Sequence, residues 1–221
     1  LNYLLKYHNS TGFDGCLDTP VEILHVFLLG VAKYFVRDLI IKLNQKEKDQ
    51  LKGYLQSFNT SSLNLHLIQS RYLVTHAKSF IGKEFKIFLQ ASPLILFPFI
   101  DQDQCDMWHS LSILSSYAFQ THIINMANFQ ADLKTHISNF LHHTIKSTAQ
   151  WHNKPKFHML VHLPDSILRF GSAPLFSTEK FESYNGILRN ASTHSNRLAP
   201  EIFPLNLVTI IKFSFIWWCL L

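Results

Sequence analysis

The chain has 221 residues, of which 47% are hydrophobic, 14% aromatic and only 16% charged. This composition is that of a globular protein with a substantial core, and it excludes an intrinsically disordered chain. The formal net charge of +5 at neutral pH is compatible with a polyanionic partner such as DNA. Because the basic residues are scattered along the chain, the charge alone does not identify that partner.

The three cysteines, Cys16, Cys105 and Cys219, are far apart and form no CxxC pair. They predict neither a disulfide framework nor a zinc ribbon, and together with the lack of a signal sequence they indicate a nuclear or cytoplasmic chain that is not secreted. Residues 205–221 are almost entirely apolar, but Lys212 in their middle argues against a membrane span, and a tail anchor is the alternative. We interpret residues 1–200 as a single helical domain and residues 201–221 as an apolar tail.

The stretch TPVEILHVFLLGVAKYFVRDLIIKL predicts one long, buried helix from about Pro20 to Leu43. Thr19 suits the N-cap of this helix, Pro20 its first position, and Glu22 the acidic position of a capping box. A capping role therefore explains Glu22 in purely structural terms. Asp18 lies just upstream and His25 one turn further along the same face, so a metal site is the alternative.

The chain beyond this helix is also predicted to be mostly helical. The stretch NQKEKDQLKG predicts a solvated continuation or a turn, SFNTSSLN a loop, and the following segment helical pieces interrupted by Gly82, Pro93 and Pro98. Residues 104–126 and 128–150 each have the apolar periodicity of an amphipathic helix, and we expect them to form an antiparallel pair. Residues 153–171 predict a short apolar segment with a turn at Pro164, and a last helix starts at Ser177 or Thr178.

Two further groups of side chains are candidates for chemistry. His158 and His162 have the i, i+4 spacing that can bind zinc, but Met159 occupies the position of the acid in the zincin pattern H-E-x-x-H. We therefore expect both histidines to lie in the core or in hydrogen bonds. Glu179 and Glu182 begin the last helix, where the helix dipole favours acids, and neither fits a capping box. Signatures of nucleotide hydrolysis, Rossmann redox chemistry and serine hydrolysis are absent from the sequence.

Two blocks of the sequence resemble a known family. The stretch EILHVFLLGVAKYF resembles the acid-x-x-His segment of large eukaryotic cut-and-paste transposases, and residues 154–197 resemble the C-terminal part of their catalytic region. The likeness extends over about Phe13 to Pro200. It is to transposase-derived proteins of mushroom-forming fungi, which are similar to the Kyakuja-Dileera-Zisupton and CACTA groups of DDE-type transposases.

The resemblance implies a mainly α fold: a partial RNase H-like core, whose early strands are missing, with a large helical insertion. By position, Glu22 matches the family's second acid, with Asp18 as its substitute, and Glu182 matches the final acid, with Glu179 as its substitute. The family's second acid is usually Asp, so the glutamate is a departure from its pattern. Mg²⁺ is the implied cofactor, and Glu22 and Glu182 would be its ligands.

The function that the resemblance implies is that of a fragment or degenerate copy of a Mg²⁺-dependent DNA transposase. The strand with the first acid is missing, so we expect the chain to be catalytically inactive. The alternative is a non-catalytic helical module that binds DNA or another protein. DNA is the implied partner, and the basic residues to test first for phosphate contacts are Lys83, Lys86, Lys154, Lys156, Arg169, Arg189 and Arg197.

Overall fold

The computed structural model describes residues 18–58, 69–76, 80–151, 153–179 and 182–187. These residues are mainly helical and none of them forms a strand, which confirms the mainly α expectation for the described part of the chain. The chain divides into two compact units, one ending at Ser177 and the other beginning at Thr178. The apolar tail and the N-terminal residues 1–17 lie outside the described residues.

The first unit consists of helices joined by short connections. It begins with a π-helix, Ile23–Ala32, which continues directly into helix α1. The other elements are short 3₁₀ turns, Ala149–Trp151, Leu160–His162 and Ala173–Leu175, and α-helices. The α-helices are α1 (Lys33–Lys42), α2 (Gln45–Ser57), α3 (Ser70–Thr75), α4 (Gly82–Ile95), α5 (Gln102–Ala118), α6 (Met126–Ser147), α7 (Pro155–Met159) and α8 (Leu163–Phe170).

The predicted long, buried helix corresponds to the π-helix together with α1. Its apolar residues lie all round the axis, and Val26, Phe27 and Leu28 have no exposed surface. The helix begins at Ile23 rather than at Pro20, and its first half has the wide i→i+5 turns of a π-helix, which the 3.6-residue periodicity did not predict. None of the described helices is long and apolar enough to cross a membrane.

Helix α2 corrects the prediction of a solvated continuation or turn after α1. The Asn44 side chain accepts a hydrogen bond from the Glu47 backbone N–H at 3.0 Å, and the Glu47 carboxylate accepts one from the Asn44 N–H at 2.8 Å. This capping box starts a new helix, and the buried Leu51 and Leu55 pack it onto the core. The highly polar sequence thus forms the outer face of a packed helix.

Helix α4 contains two of the residues that were expected to interrupt it. Gly82 is its first residue, and Pro93 lies within its last turn. Proline has no N–H for the carbonyl of Leu89, four residues earlier, but the Ser92 hydroxyl donates a hydrogen bond to that carbonyl at 3.0 Å. The helix therefore tolerates Pro93, and the prediction of a break there was wrong.

Helices α5 and α6 form the predicted antiparallel pair. Lys146, at the end of α6, makes an ion pair of 2.7 Å with Asp103, at the start of α5, and the Tyr117 and Phe129 rings meet at the other end of the pair. Phe35 of α1 packs edge-to-face against Trp108, Phe140 and Phe157 in the core beside this pair.

Helices α7 and α8 correct the prediction of a turn at Pro164. The 3₁₀ turn Leu160–His162 joins the two helices, and Pro164 lies in the first turn of α8. Backbone N–H groups in the first turn of a helix have no intrahelical acceptor, so a proline is tolerated there. The buried side chains of Phe157, Leu160 and Leu163 hold this whole segment on the core. Helix α8 ends at Phe170, and its C-cap is Gly171, whose φ of 88° is favourable for glycine.

Candidate functional site

Glu22 is the N-cap of the π-helix, and its side chain is buried. Its Oε1 accepts a hydrogen bond from the Leu24 backbone N–H at 2.7 Å, and its Oε2 accepts one from the His25 N–H at 2.8 Å. The side chain is only 1% exposed. The carboxylate thus satisfies two of the N–H groups that a helix leaves without intrahelical partners, and its charge faces the positive end of the helix dipole.

The predicted capping box at this helix start was therefore wrong in detail. It placed Thr19 at the N-cap and Glu22 inside the first turn, whereas Glu22 itself is the cap and the backbone at Glu22 is extended. Val21, just before the cap, donates its N–H to the Ser166 hydroxyl at 3.0 Å. This bond joins the residue before the cap to α8.

Two side chains complete the surroundings of the Glu22 carboxylate. His25 Nδ1 lies 2.9 Å from Oε2, and the Ser177 hydroxyl donates to Oε1 at 3.3 Å. The hydrogen bond to a carboxylate favours the tautomer of His25 that carries its proton on Nδ1. Sequence analysis placed His25 near Glu22 but missed Ser177, since 155 residues separate Ser177 from Glu22 in the chain.

Lys156 approaches the same helix start from α7. Its Nζ donates a hydrogen bond to the His25 carbonyl at 3.0 Å. Burial lowers the pKa of Lys156, the charge of Lys33 lowers it further, and the charge of Glu22 opposes both effects. Lys156 was predicted as a phosphate contact, but the structure places its ammonium group against the backbone of the π-helix.

Asp18, the substitute for Glu22, has a different role in the structure. Its Oδ1 forms an ion pair with the Arg169 guanidinium at the end of α8. The Arg169 guanidinium also lies beside the Phe170 ring, 5.4 Å from its centroid. This ion pair joins the segment before the π-helix to α8. It also engages Arg169, one of the side chains predicted to bind DNA.

The Glu22 carboxylate is a poor fit to a magnesium ion in this arrangement. Mg²⁺ prefers an octahedral shell of oxygen ligands, several of them water, and so needs open lone pairs and space for solvent. Each Glu22 oxygen already faces two donors, and the group is almost completely buried. Among the described residues, no three His, Cys, Asp or Glu side chains form a group that could hold a metal ion.

Glu179 and Glu182, the other predicted acids, belong to the second unit. The Glu182 N–H donates to the Thr178 carbonyl at 3.0 Å, and the Ser183 hydroxyl donates to the Glu179 carbonyl at 3.0 Å. These bonds agree with the predicted start of the last helix. The Glu182 side chain is exposed to solvent.

The remaining basic candidates differ in their surroundings. Lys154 and Lys83 are exposed, whereas the Lys86 ammonium group lies over the Phe119 ring, 4.6 Å from its centroid. Arg189 and Arg197 lie outside the described residues. Lys154 and Lys83 are thus predicted phosphate contacts that are exposed to solvent.

The two histidine candidates lie on the surface. His158 and His162 are both exposed rather than in the core, and their Nε2 atoms are joined by a hydrogen bond of 3.4 Å, which is the other of the two expected surroundings. The His142 and His143 rings also meet, edge to face at 5.4 Å between centroids.

Comparison of the chain with protein-family models, with curated proteins and with solved structures gave no match.

Proposed function

We propose that this chain derives from the catalytic region of a DDE-type transposase and acts without catalysis, as a helical module. The family name rests on the sequence resemblance described above. The observation that supports the non-catalytic role is the Glu22 carboxylate, whose oxygens are taken up by the helix N-terminus, His25 and Ser177. A carboxylate that caps a buried helix has no open position for a catalytic metal ion.

The pairing of Glu22 with His25 is compatible with the proposed transposase ancestry. The acid-x-x-His spacing carries the resemblance, and the two side chains form a hydrogen-bonded pair of 2.9 Å. Such a pair is useful to a metal-binding acid, since the imidazole fixes its orientation, and it is equally useful to a buried cap. We propose that the pair has kept its geometry while the role of the acid has changed.

Two measurements on the purified chain test this proposal. Incubation with supercoiled plasmid and Mg²⁺ should give no nicking above that of a Glu182→Gln variant. Nicking by the wild-type chain that disappears in this variant would overturn the non-catalytic role. The RNase H-like core that the resemblance implies is tested separately, by an experimental structure that includes residues 1–17.

A melting curve with and without Mg²⁺ gives an independent answer. A preformed metal site gains stability from its ion by mass action, whereas a capping carboxylate does not. We expect the melting temperature to be the same in Mg²⁺ as in a monovalent salt of equal ionic strength. An increase in Mg²⁺ that Glu22→Gln abolishes, but Glu47→Gln does not, would identify Glu22 as a metal ligand. Glu47 is a suitable control because it is the acid of the α2 capping box.

DNA is the partner that we propose for the module, on the basis of the resemblance and the net charge of +5. Binding to a duplex oligonucleotide, followed by fluorescence anisotropy, should weaken steeply as the salt concentration rises. The exposed Lys154 is the best residue to substitute, and Lys134→Gln on the exposed side of α6 is the matched control. Lys154→Gln should weaken binding more than Lys134→Gln does, and equal effects of the two variants would mean that Lys154 does not contact the DNA.

A further inference from the structure

His158 and His162 lie on one face of the segment that joins α7 to α8. His158 belongs to α7, and His162 ends the 3₁₀ turn Leu160–His162. Both side chains are exposed, their ring centroids are 5.1 Å apart, and their Nε2 atoms are the closest polar pair at 3.4 Å. One Nε2 donates to the other in this pair, and an ion held by both nitrogens would replace that hydrogen bond.

The backbone that carries the two histidines is fixed from the opposite side. Phe157, Leu160 and Leu163 are 1%, 0% and 0% exposed, and they alternate with the histidines along the segment. Pro164 stiffens the start of α8 immediately after His162. The spacing of the two imidazoles thus depends on buried packing, so a ligand that needs both nitrogens meets a partly preorganised pair.

The separation of the two nitrogens can be compared with the requirements of a metal ion. Zn²⁺ binds imidazole nitrogen at about 2.0–2.1 Å in a tetrahedral geometry, which places two nitrogen ligands about 3.3–3.4 Å apart. A right-angled pair at the same bond length would be about 2.9 Å apart. The observed 3.4 Å corresponds to the tetrahedral separation.

We propose that His158 and His162 form a bidentate surface site for a borderline transition-metal ion, with Zn²⁺ as the preferred ion. Both imidazoles bind through Nε2 in their neutral form, and solvent or a group from a second molecule completes the tetrahedron. Met159 stands where a zincin has its general base, so the site binds the ion without the acid that metalloprotease chemistry requires. The site is separate from Glu22 and does not depend on the proposed function.

Calorimetric titration of ZnCl₂ into the chelator-treated full chain tests the site. All thiols are alkylated beforehand, so that cysteines supply no competing ligands. We expect saturable binding of one ion per chain. His158→Asn and His162→Asn should each weaken this binding at least about tenfold, since even loss of an outer partner of a metal ligand costs that much. Circular dichroism confirms that each variant is folded.

The double variant His109→Asn/His122→Asn is the matched control. It removes two exposed histidines, as the double variant of the proposed site does, but leaves His158 and His162 in place. This control should bind Zn²⁺ like the wild-type chain. The proposal is overturned if the wild-type chain shows no saturable binding, or if His158→Asn/His162→Asn binds with unchanged affinity.

Discussion

Lys156 crosses the π-helix directly at Gly30: a methyl group added to Gly30 would lie 2.5 Å from Lys156 Cδ and 2.9 Å from the His25 carbonyl oxygen. Both distances are shorter than any carbon side chain tolerates. Gly30 thus allows α7 to approach the helix closely enough for Lys156 to reach the His25 carbonyl. Close packing of α7 on the π-helix therefore explains the glycine at residue 30.

Substitution of Gly30 by alanine should destabilise the fold by about 1–3 kcal/mol, as overpacking in a core does. Gly53→Ala is the control, because nothing lies within 4 Å of an added methyl group there. This control lies within α2, where alanine should stabilise the helix by about 0.5–1 kcal/mol. Urea denaturation measures both. Lys156→Ala should relieve only part of the Gly30→Ala penalty, since the contact with the His25 carbonyl remains.

Removal of the Glu22 side chain should be more costly than the loss of an ordinary cap. Glu22→Ala removes an N-cap and leaves buried donors without an acceptor, so we expect a loss of about 2–4 kcal/mol. Asn44→Ala, at the exposed cap of α2, should cost about 1 kcal/mol. Equal losses in the two variants, measured by urea denaturation, would mean that burial adds nothing to the role of Glu22.

Much of the fold can be predicted from the sequence because the apolar residues that recur with helical periodicity are the ones buried in the structure. The buried first helix and the antiparallel pair α5 and α6 were both predicted from it. The errors arose at polar stretches and at proline, where a side-chain hydrogen bond decides the outcome. The capping box of Asn44 and Glu47 starts α2. In α4, the hydrogen bond from the Ser92 hydroxyl to the Leu89 carbonyl replaces the one that Pro93 cannot donate.

The candidate site was less accessible from the sequence. Glu22 and His25 were singled out by their local spacing, which is enough for partners one turn apart. Ser177, Ser166 and Lys156 contact the same helix start from far along the chain, and no local pattern encodes such contacts. The spacing of His158 and His162 placed the two side chains together, and of the two expected surroundings, the core or a hydrogen bond, the structure has the hydrogen bond.

The proline in α4 provides a test of hydrogen-bond replacement. Ser92→Ala should cost about 1–3 kcal/mol, because the buried Leu89 carbonyl loses the hydroxyl that replaces the missing N–H of Pro93. The double variant Ser92→Ala/Pro93→Ala restores an N–H at residue 93 and should recover most of this loss. If the double variant is as unstable as Ser92→Ala, the hydroxyl has another role.

The stability of the chain should respond to the buried amine of Lys156 at alkaline pH. The pKa of Lys156 in the folded chain is below its ordinary value of 10.5, so between the two values the unfolded chain holds more protons. The free energy of unfolding therefore rises with pH through this window. Lys156→Met lacks this contribution, so the stability difference between the two chains should change in favour of the wild type as the pH rises toward 10.5.

Lys146 gives the opposite dependence and serves as the comparison. Its hydrogen bond and ion pair with Asp103 raise its pKa, so its stabilising contribution is lost as the pH rises above 10.5. The stability difference between the wild type and Lys146→Met should therefore decrease as the pH rises, whereas the difference between the wild type and Lys156→Met should increase. A stability difference between the wild type and Lys156→Met that stays constant across the alkaline range contradicts the predicted role of burial.

The wide turns of Ile23–Ala32 set the rotational phase between the two ends of one continuous helix. A π-helical residue advances the chain by somewhat less than the roughly 100° of an α-helical residue, so a change of one residue in this segment alters that phase by about a quarter of a turn. Glu22 meets Ser177 only at the present phase, because α1 beyond Ala32 is anchored separately through Phe35. The length of this short segment, as much as the identity of its residues, therefore determines whether the acid and the histidine point into the molecule.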